Sequence, residues 1–97
     1  MICHVVLYRM KPETSADDEQ RLAAAAMEHL KPLPWVRNLR TGCSLEAQRN
    51  GYRVGLVMDF ENAAALEAYR VDARHLHFVH QVAGPLVDEI VRFDFEW

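Results

Sequence analysis

Histidines concentrated in one short stretch are the side chains of this sequence best suited to proton transfer. Three of the five histidines, His75, His77 and His80, lie close together, and Tyr69 lies just upstream of them. Imidazole changes charge near neutral pH, and a phenol can donate a hydrogen bond to a carbonyl or enolate oxygen. These residue types indicate either acid–base chemistry beside a carbonyl or a metal site.

Helical geometry separates the three histidines. Asp72 is typical of a helix N-cap, which puts His75 in the first turn of a helix. At 100° per residue, Val79 lies about 40° from His75 on an apolar arc, whereas His77 and His80 lie on the opposite side. A two-ligand metal site at His77 and His80 has no evident third ligand, so we expect no metal. His75 is the candidate for chemistry.

The hydrophobic pattern predicts the elements that must position His75. Strands are predicted at 2–10, 35–45, 52–60 and 88–97, and helices are predicted to begin at the caps Ser15, Asn62 and Asp72. This order is that of a single α+β domain over residues 1–97, with a ferredoxin-like βαββαβ fold in which helices cover one face of a four-stranded antiparallel sheet. The second strand is polar on one side, which predicts an edge position.

Turn signals predict where elements end. The apolar face of the second strand is predicted to run to Leu45. A polar loop over 46–51 is predicted to follow it and to end in an Asn50-Gly51 turn. Gly84-Pro85 is predicted to end the last helix.

The first strand is apolar on both faces, which predicts a partner. One face carries Ile2, His4, Val6 and Tyr8, and the other carries Cys3, Val5 and Leu7. Helices can cover only one face, so we expect the same sheet of a second copy to cover the other, which makes the protein a homodimer.

Composition excludes several classes of function. The net charge is −3 without a basic run, which argues against a nucleic-acid partner. The sequence lacks the apolar run of a membrane span and the pattern of a signal peptide, so we expect a cytoplasmic protein. Cys3 and Cys43 are interpreted as buried thiols, and no nucleotide-binding motif or serine triad is present.

Four segments resemble the stress-responsive dimeric α/β-barrel (Dabb) domain. Residues 2–11, ICHVVLYRMK, are similar to its H-x-V-x-[FY]-[KR] first strand, and residues 52–61 are similar to its third strand. Residues 66–69, LEAY, followed by residues 72–75, DARH, are similar to its L-x-x-Y…H-P-x-H motif. Val71-Asp72 stands where many members have His-Pro, so the outer histidine of that motif is missing.

The resemblance implies a dimeric α+β barrel with a pocket between the sheet and the helices of each protomer. The family includes stress-induced assemblies and plant enzymes that cyclise linear polyketides. In the cyclising members a helix histidine and a nearby tyrosine carry the chemistry, and a first-strand histidine lines the site. Those positions match His75, Tyr69 and His4 here.

These three side chains form the candidate catalytic site, with His75 as a neutral base and Tyr69 as a hydrogen-bond donor. The expected reaction is proton abstraction next to a carbonyl of a small apolar or poly-carbonyl ligand, and it needs no cofactor. Six residues are assigned to the pocket lining: Val6, Tyr8, Ala23, Ala26, Phe78 and Val79. The two alanines are equally compatible with close helix–sheet packing.

Several alternatives stay open. His75 and His4 are also compatible with core histidines that bind the backbone or each other. The protein is then a non-catalytic stress-related or ligand-carrying homo-oligomer instead of a cyclase or lyase. A cofactor-independent or haem-degrading monooxygenase of the same fold ranks lowest. Trp35 and Trp97 are assigned either to the dimer seam or to the pocket mouth, and His29 to the outer side of the first helix.

Overall fold

The computed structural model describes residues 1–46 and 50–97 of the chain. Its elements follow the predicted order, with a π-helical segment after the third helix. The strands are β1 (Ile2–Met10), β2 (Arg37–Cys43), β3 (Tyr52–Phe60) and β4 (Val87–Glu96), and the helices are α1 (Ala16–Leu30), α2 (Ala63–Val71), α3 (Ala73–His77) and the π-helical segment Phe78–Ala83.

The four strands form one antiparallel sheet in the order β2-β3-β1-β4. This confirms the ferredoxin-like α+β fold and the edge position of β2. β1 lies in the centre, where His4 is opposite Met58 of β3 and Asp94 of β4. The pairing of β4 with β1 therefore determines which β4 residue lies beside each residue of the first strand.

Local signals explain where the helices begin. Ser15 accepts a hydrogen bond from the amide of Asp18 while the Asp18 carboxylate accepts one from the amide of Ser15, which is a capping box. Asn62 accepts from the amide of Ala65 at the start of α2, and Asp72 accepts from the amide of Arg74 at the start of α3. All three predicted caps are confirmed.

The second strand is shorter than predicted. It begins at Arg37 and ends at Cys43, and Leu45, which was assigned to its apolar face, lies outside the strand and is fully exposed. The Asn50-Gly51 turn forms as predicted, with φ of 53° and 80° at these two residues. The rest of the predicted polar loop includes residues 47–49, which lie outside the described residues.

The helices pack on the face of the sheet that carries the even-numbered residues of β1. Val6 and Tyr8 are buried there, in a core that also contains residues of α1 and the π-helical segment. Ala23 and Ala26 lie on the inner side of α1, and the Ala23 carbonyl accepts a hydrogen bond of 2.8 Å from Thr41 of β2. The small alanine side chains therefore allow α1 to approach the sheet closely.

The opposite face of the sheet carries an apolar surface without a cover in the isolated chain. Leu7 of β1 and Val91 of β4 are exposed, and Phe93 retains 62% of its surface. The rings of Phe93 and Phe95 lie 5.9 Å apart on this surface. We call these residues, with Cys3 and Val5, the open sheet face.

The third helix does not continue as a regular α-helix. After His77 the backbone changes to π-helical hydrogen bonding, which ends where the amide of Gly84 donates to the carbonyl of Val79 at 2.9 Å. The predicted stop at Gly84-Pro85 is confirmed. A π-helix advances by less than 100° per residue, so side chains after His77 rotate away from the directions expected for an α-helix.

Within residues 1–46 and 50–97, no helix has the length and apolar character needed to cross a membrane.

Candidate functional site

A cleft of about 340 Å³ opens between β1 and β4 on one side and helices α2 and α3 on the other. It lies on the helix-covered face of the sheet, beside the edge strand β4. Its lining residues are His4, Tyr69, Arg70, His75, Leu76, Val79, His80, Arg92 and Asp94.

The hydrogen bond of His75 determines which ring nitrogen is available. Its Nδ1 lies 3.1 Å from the backbone carbonyl of Arg70. A carbonyl oxygen can only accept, so Nδ1 carries the hydrogen, and Nε2 of the neutral ring is left with a lone pair. Burial lowers the pKa of His75, while the contact with the Arg70 carbonyl opposes that shift. The pKa of His75 is lowered on balance, which favours the neutral imidazole at pH 7.

Tyr69 lies directly against this imidazole. The two ring centroids are 4.2 Å apart, and the tyrosine keeps only 2% of its surface. Phe60 of β3 packs against the same ring at 5.0 Å. Burial raises the pKa of Tyr69, and the nearby hydroxyl of Tyr8 acts in the same direction. The phenol therefore stays protonated and can donate a hydrogen bond.

His4 completes the group from the sheet side. The even-numbered residues of β1 lie on the face of the sheet that the helices cover, so His4 lies on the same side as Tyr69 and His75. His4 keeps 4% of its surface, and its ring meets that of Tyr69 edge to face at 5.9 Å. Its Nδ1 pairs with the carboxylate of Asp94, which lies directly opposite on β4. The carboxylate fixes the orientation and the tautomer of the ring.

Asp94 and Arg92 are the residues that sequence reasoning missed. Both lie on β4 between the apolar residues of the open sheet face, so their side chains point to the helix-covered face. The alternation of Phe93, Asp94 and Phe95 indicates that Asp94 lies on the other face of the strand from the two aromatic rings. The sequence does not show that Asp94 meets His4, because the partner of each β4 residue depends on the register against β1.

The predicted pocket lining is only partly found around this cleft. Val79 lines it, whereas Val6, Tyr8 and Phe78 are packed in the hydrophobic core. The assigned Ala23 and Ala26 also belong to that core. The reason is that residues of the sheet, α1 and the π-helical segment form one hydrophobic core at these positions. The cleft therefore lies to one side, beside the half-covered strand β4.

His77 and His80, which were both predicted to face away from the site, lie on different surfaces of the protein. His80 lines the cleft, while the ring of His77 lies 5.9 Å from that of His29 on the other side of the helix. The prediction that His29 faces outward was wrong, because its ring also lies 5.9 Å from that of the buried Phe78. Among the described residues, no group of three or more His, Cys, Asp or Glu side chains could hold a metal ion.

Four other assigned residues lie away from the cleft. Trp35 is partly buried against the core, and Trp97 is exposed after the end of β4. Cys3 and Cys43 were expected to be buried thiols. Both are free, but each is only half-buried. Burial raises the pKa of both thiols.

Fold and cleft together define a ferredoxin-like α+β protein with an acid–base cluster beside an edge strand. The chain belongs to the stress responsive A/B barrel domain (Dabb) family, whose model matches residues 2–97. The resemblance in the first strand and in the tyrosine–histidine segment is thereby confirmed at the level of the family. A comparison with curated proteins found no match.

Solved structures with the same fold come from bacteria and plants. A Dabb family protein from Mesorhizobium loti is 23% identical over 99% of this chain and 95% of its own, with a TM-score of 0.83. A dimeric ferredoxin-like protein of unknown function from Thermobifida fusca is 21% identical over 99% and 90%, with a TM-score of 0.82. A hydroxynitrile lyase from Passiflora edulis is 18% identical over 97% and 90%, with a TM-score of 0.78. These likenesses establish the fold.

Proposed function

We propose that the protein is a cofactor-free lyase or cyclase that removes a proton next to a carbonyl group. The observation that carries this proposal is the pair formed by His75 and Tyr69. One ring nitrogen of His75 is engaged with the Arg70 carbonyl, so the other is free to act as a base. A protonated phenol lies against the same ring at the wall of a cleft.

The proposed steps follow from these groups. Nε2 of His75 takes a proton from the carbon beside the substrate carbonyl, and the electron pair of that C–H bond moves to form an enolate. The Tyr69 hydroxyl donates a hydrogen bond to the enolate oxygen. The enolate carbon then bonds to a second carbonyl of the same chain, and the new alkoxide takes the proton back from His75. General acid–base catalysis of this kind contributes about 100-fold or more.

His4 and Asp94 act as positioning residues in this scheme. Asp94 binds the His4 ring, and the His4 ring meets the Tyr69 ring edge to face. The contact restricts the tilt of the phenol toward the cleft. A hydroxynitrile lyase has this fold, which supports the proposal that a protein of this fold acts as a lyase.

We further propose that the chain forms a homodimer through the open sheet face. An exposed apolar surface that includes Phe93 and Phe95 is unusual for a monomer. The Thermobifida fusca protein of the same fold is described as dimeric. Sheet-to-sheet packing across a two-fold axis would bury this surface in both copies.

A second candidate function is binding of an apolar or poly-carbonyl molecule without turnover. The observation that favours it is that Nδ1 of both His75 and His4 is engaged in a hydrogen bond, as in structural histidines. In that case the cleft would accept a ligand, and both histidines would only shape its wall.

The test is turnover of a linear 3,5,7-trioxo thioester, in which the enolate carbon C2 can close a six-membered ring on the carbonyl at C7. The rate is measured for the wild type, His75→Gln and Tyr69→Phe, and the products are analysed. We expect both variants to lose about 100-fold in rate with an unchanged melting temperature. His77→Gln is the matched control, because His77 lies outside the cleft on the same helix.

A rate that is unchanged in His75→Gln would contradict the proposal. Saturable binding of the thioester without any turnover by the wild type would favour the second candidate. A large fall in melting temperature for His75→Gln would identify His75 as a structural histidine.

A further inference from the structure

Arg92 is a cation on the wall of the cleft that the proposed chemistry does not use. It lies on β4 opposite Val6, two residues before Asp94 and on the same face of the sheet. Its side chain lines the cleft together with His75 and Tyr69. Arg92 therefore belongs to the site by position, although it has no part in proton transfer.

The charge of Arg92 is not neutralised within the described part of the chain. Arg9, Arg70 and Arg74 each form an ion pair with a carboxylate, whereas none of the ion pairs within residues 1–46 and 50–97 includes Arg92. The acid nearest along the strand, Asp94, is bound to His4. The guanidinium is thus left with its hydrogen-bond donors available at the cleft.

The lining of the cleft holds two arginines, Arg70 and Arg92, and one acid, Asp94. Arg70 is 3.8 Å from Glu67, and Asp94 is bound to His4. Arg92 is thus the arginine of the lining that has no ion-pair partner among the described residues. An unpaired guanidinium on the wall of a cleft attracts an anion.

Arg92 lines the same cleft as His75 and Tyr69, and its charge affects the pKa values of both. Burial has the largest effect on the pKa of His75, and the positive charge of Arg92 adds to its lowering. The same charge opposes the rise in the pKa of Tyr69 that burial causes. A group bound to Arg92 would therefore lie close to both side chains.

We infer that the molecule bound in this cleft carries a carboxylate, which Arg92 binds while the reacting carbonyl faces His75 and Tyr69. A guanidinium binds a carboxylate through two parallel hydrogen bonds, which orients as well as attracts it. The substrate class is then an oxo acid instead of a neutral polyketone. The position of the carbonyl rests on the proposed function, whereas recognition of the carboxylate by Arg92 does not.

The test compares 3,5-dioxohexanoate with its methyl ester, both measured by calorimetric titration of the full chain. We expect the acid to bind about 10-fold more tightly than the ester. Arg92→Gln is expected to remove this preference by weakening the acid and leaving the ester unchanged, and Arg92→Lys is expected to restore part of it. Arg21→Gln on the exposed side of α1 is the matched control for loss of one positive charge.

Equal affinities of acid and ester for the wild type, or an equal loss of both in Arg92→Gln, would overturn the inference. The two proposals fail separately when turnover is measured with 3,5,7-trioxooctanoate and its methyl ester, both of which can close a six-membered ring. An Arg92-dependent preference in binding for the acid, without turnover of either compound, supports the inference and contradicts the enzyme. Turnover that requires His75 but is equal for the trioxo acid and its ester supports the enzyme and contradicts the inference.

Discussion

The chemistry of the cleft depends on which nitrogen of His75 carries the hydrogen. The Arg70 carbonyl holds the hydrogen on Nδ1, and burial favours the uncharged ring. Tyr69, packed 4.2 Å away, keeps its proton because burial disfavours the phenolate. Two neighbouring groups with pKa values moved in opposite directions form a base and a donor that coexist at neutral pH.

The first prediction concerns the pH dependence of the rate. The pKa of His75 is lowered from 6.5, so the base form persists below that pH and the rate is expected to fall only as the pH drops through the lowered pKa. The pKa of Tyr69 is raised, so no loss from tyrosine ionisation is expected up to pH 10. The measurement is kcat as a function of pH, and an acidic midpoint above 6.5 would contradict the assignment of His75.

The second prediction concerns Asp94. Asp94→Asn keeps the shape of the side chain but removes the charge that orients His4. We expect the rate to fall by about 10-fold or more while KM stays within a factor of two, because the positioning of Tyr69 is affected and binding is not.

The matched control is Asp88→Asn on the same strand, where the carboxylate binds Arg9 at the surface. Equal rates for Asp94→Asn and Asp88→Asn would remove Asp94 from the site.

The sequence predicted that His75, Tyr69 and His4 lie together, and all three line the cleft. Helical periodicity selected His75, whereas Tyr69 and His4 were assigned through the resemblance to the Dabb domain. Asp94 and Arg92 could not be found in this way. Their inclusion depends on the register between two strands that are far apart in the sequence, and periodicity within one strand does not determine that register.

At the level of elements, the change from α-helix to π-helix after His77 determines how the end of the helix packs. The carbonyl of His80 approaches the Cα of Gly84 closely, and a Cβ built there would lie 2.7 Å from that oxygen. The 100° rule places the apolar arc of this segment correctly but puts His80 on the far side from the cleft that it lines. A sequence pattern does not reveal the extra residue in a π-helical turn.

The third prediction follows from this contact. Gly84→Ala is expected to reduce the free energy of unfolding by about 1–3 kcal/mol, because backbone atoms must move to accommodate the methyl group. Gly42→Ala is the matched control, since a Cβ at Gly42 meets nothing within 4 Å. Urea unfolding measures both variants. A Gly84→Ala protein as stable as the Gly42→Ala protein would contradict the close approach.

The boundaries of β2 show where sequence patterns stop being informative. Alternation predicted a strand over 35–45, but pairing with β3 stops at Cys43. Beyond that residue, Leu45 has no neighbouring strand on which to pack, so its apolar character does not place it in the sheet.

At the level of the whole molecule, the helices and the open sheet face divide the apolar residues into two sets. One set forms the core of the chain, and the other is left for the proposed second copy. The apolar pattern of β1 predicted this division, because helices cover only one face of the sheet.

The fourth prediction concerns the homodimer. Phe93→Asp puts a charge on the open sheet face, so we expect the mass measured by light scattering at micromolar concentration to fall from that of a dimer to that of a monomer. Leu45→Asp is the matched control, because Leu45 is fully exposed and outside the sheet. A monomeric mass for the wild type would contradict the dimer.

The pairing of His4 with Asp94 joins residues that are 90 positions apart in the sequence. A contact of this range costs more conformational entropy to form than the local contact between Tyr69 and His75, because a much longer loop must be closed. A partly folded chain can contain the helices, with Tyr69 and His75 already adjacent, and still lack the His4–Asp94 pair and Arg92. We therefore expect a refolding chain to acquire the complete cleft in the same step in which β4 docks on β1, so ligand binding would report the completion of folding.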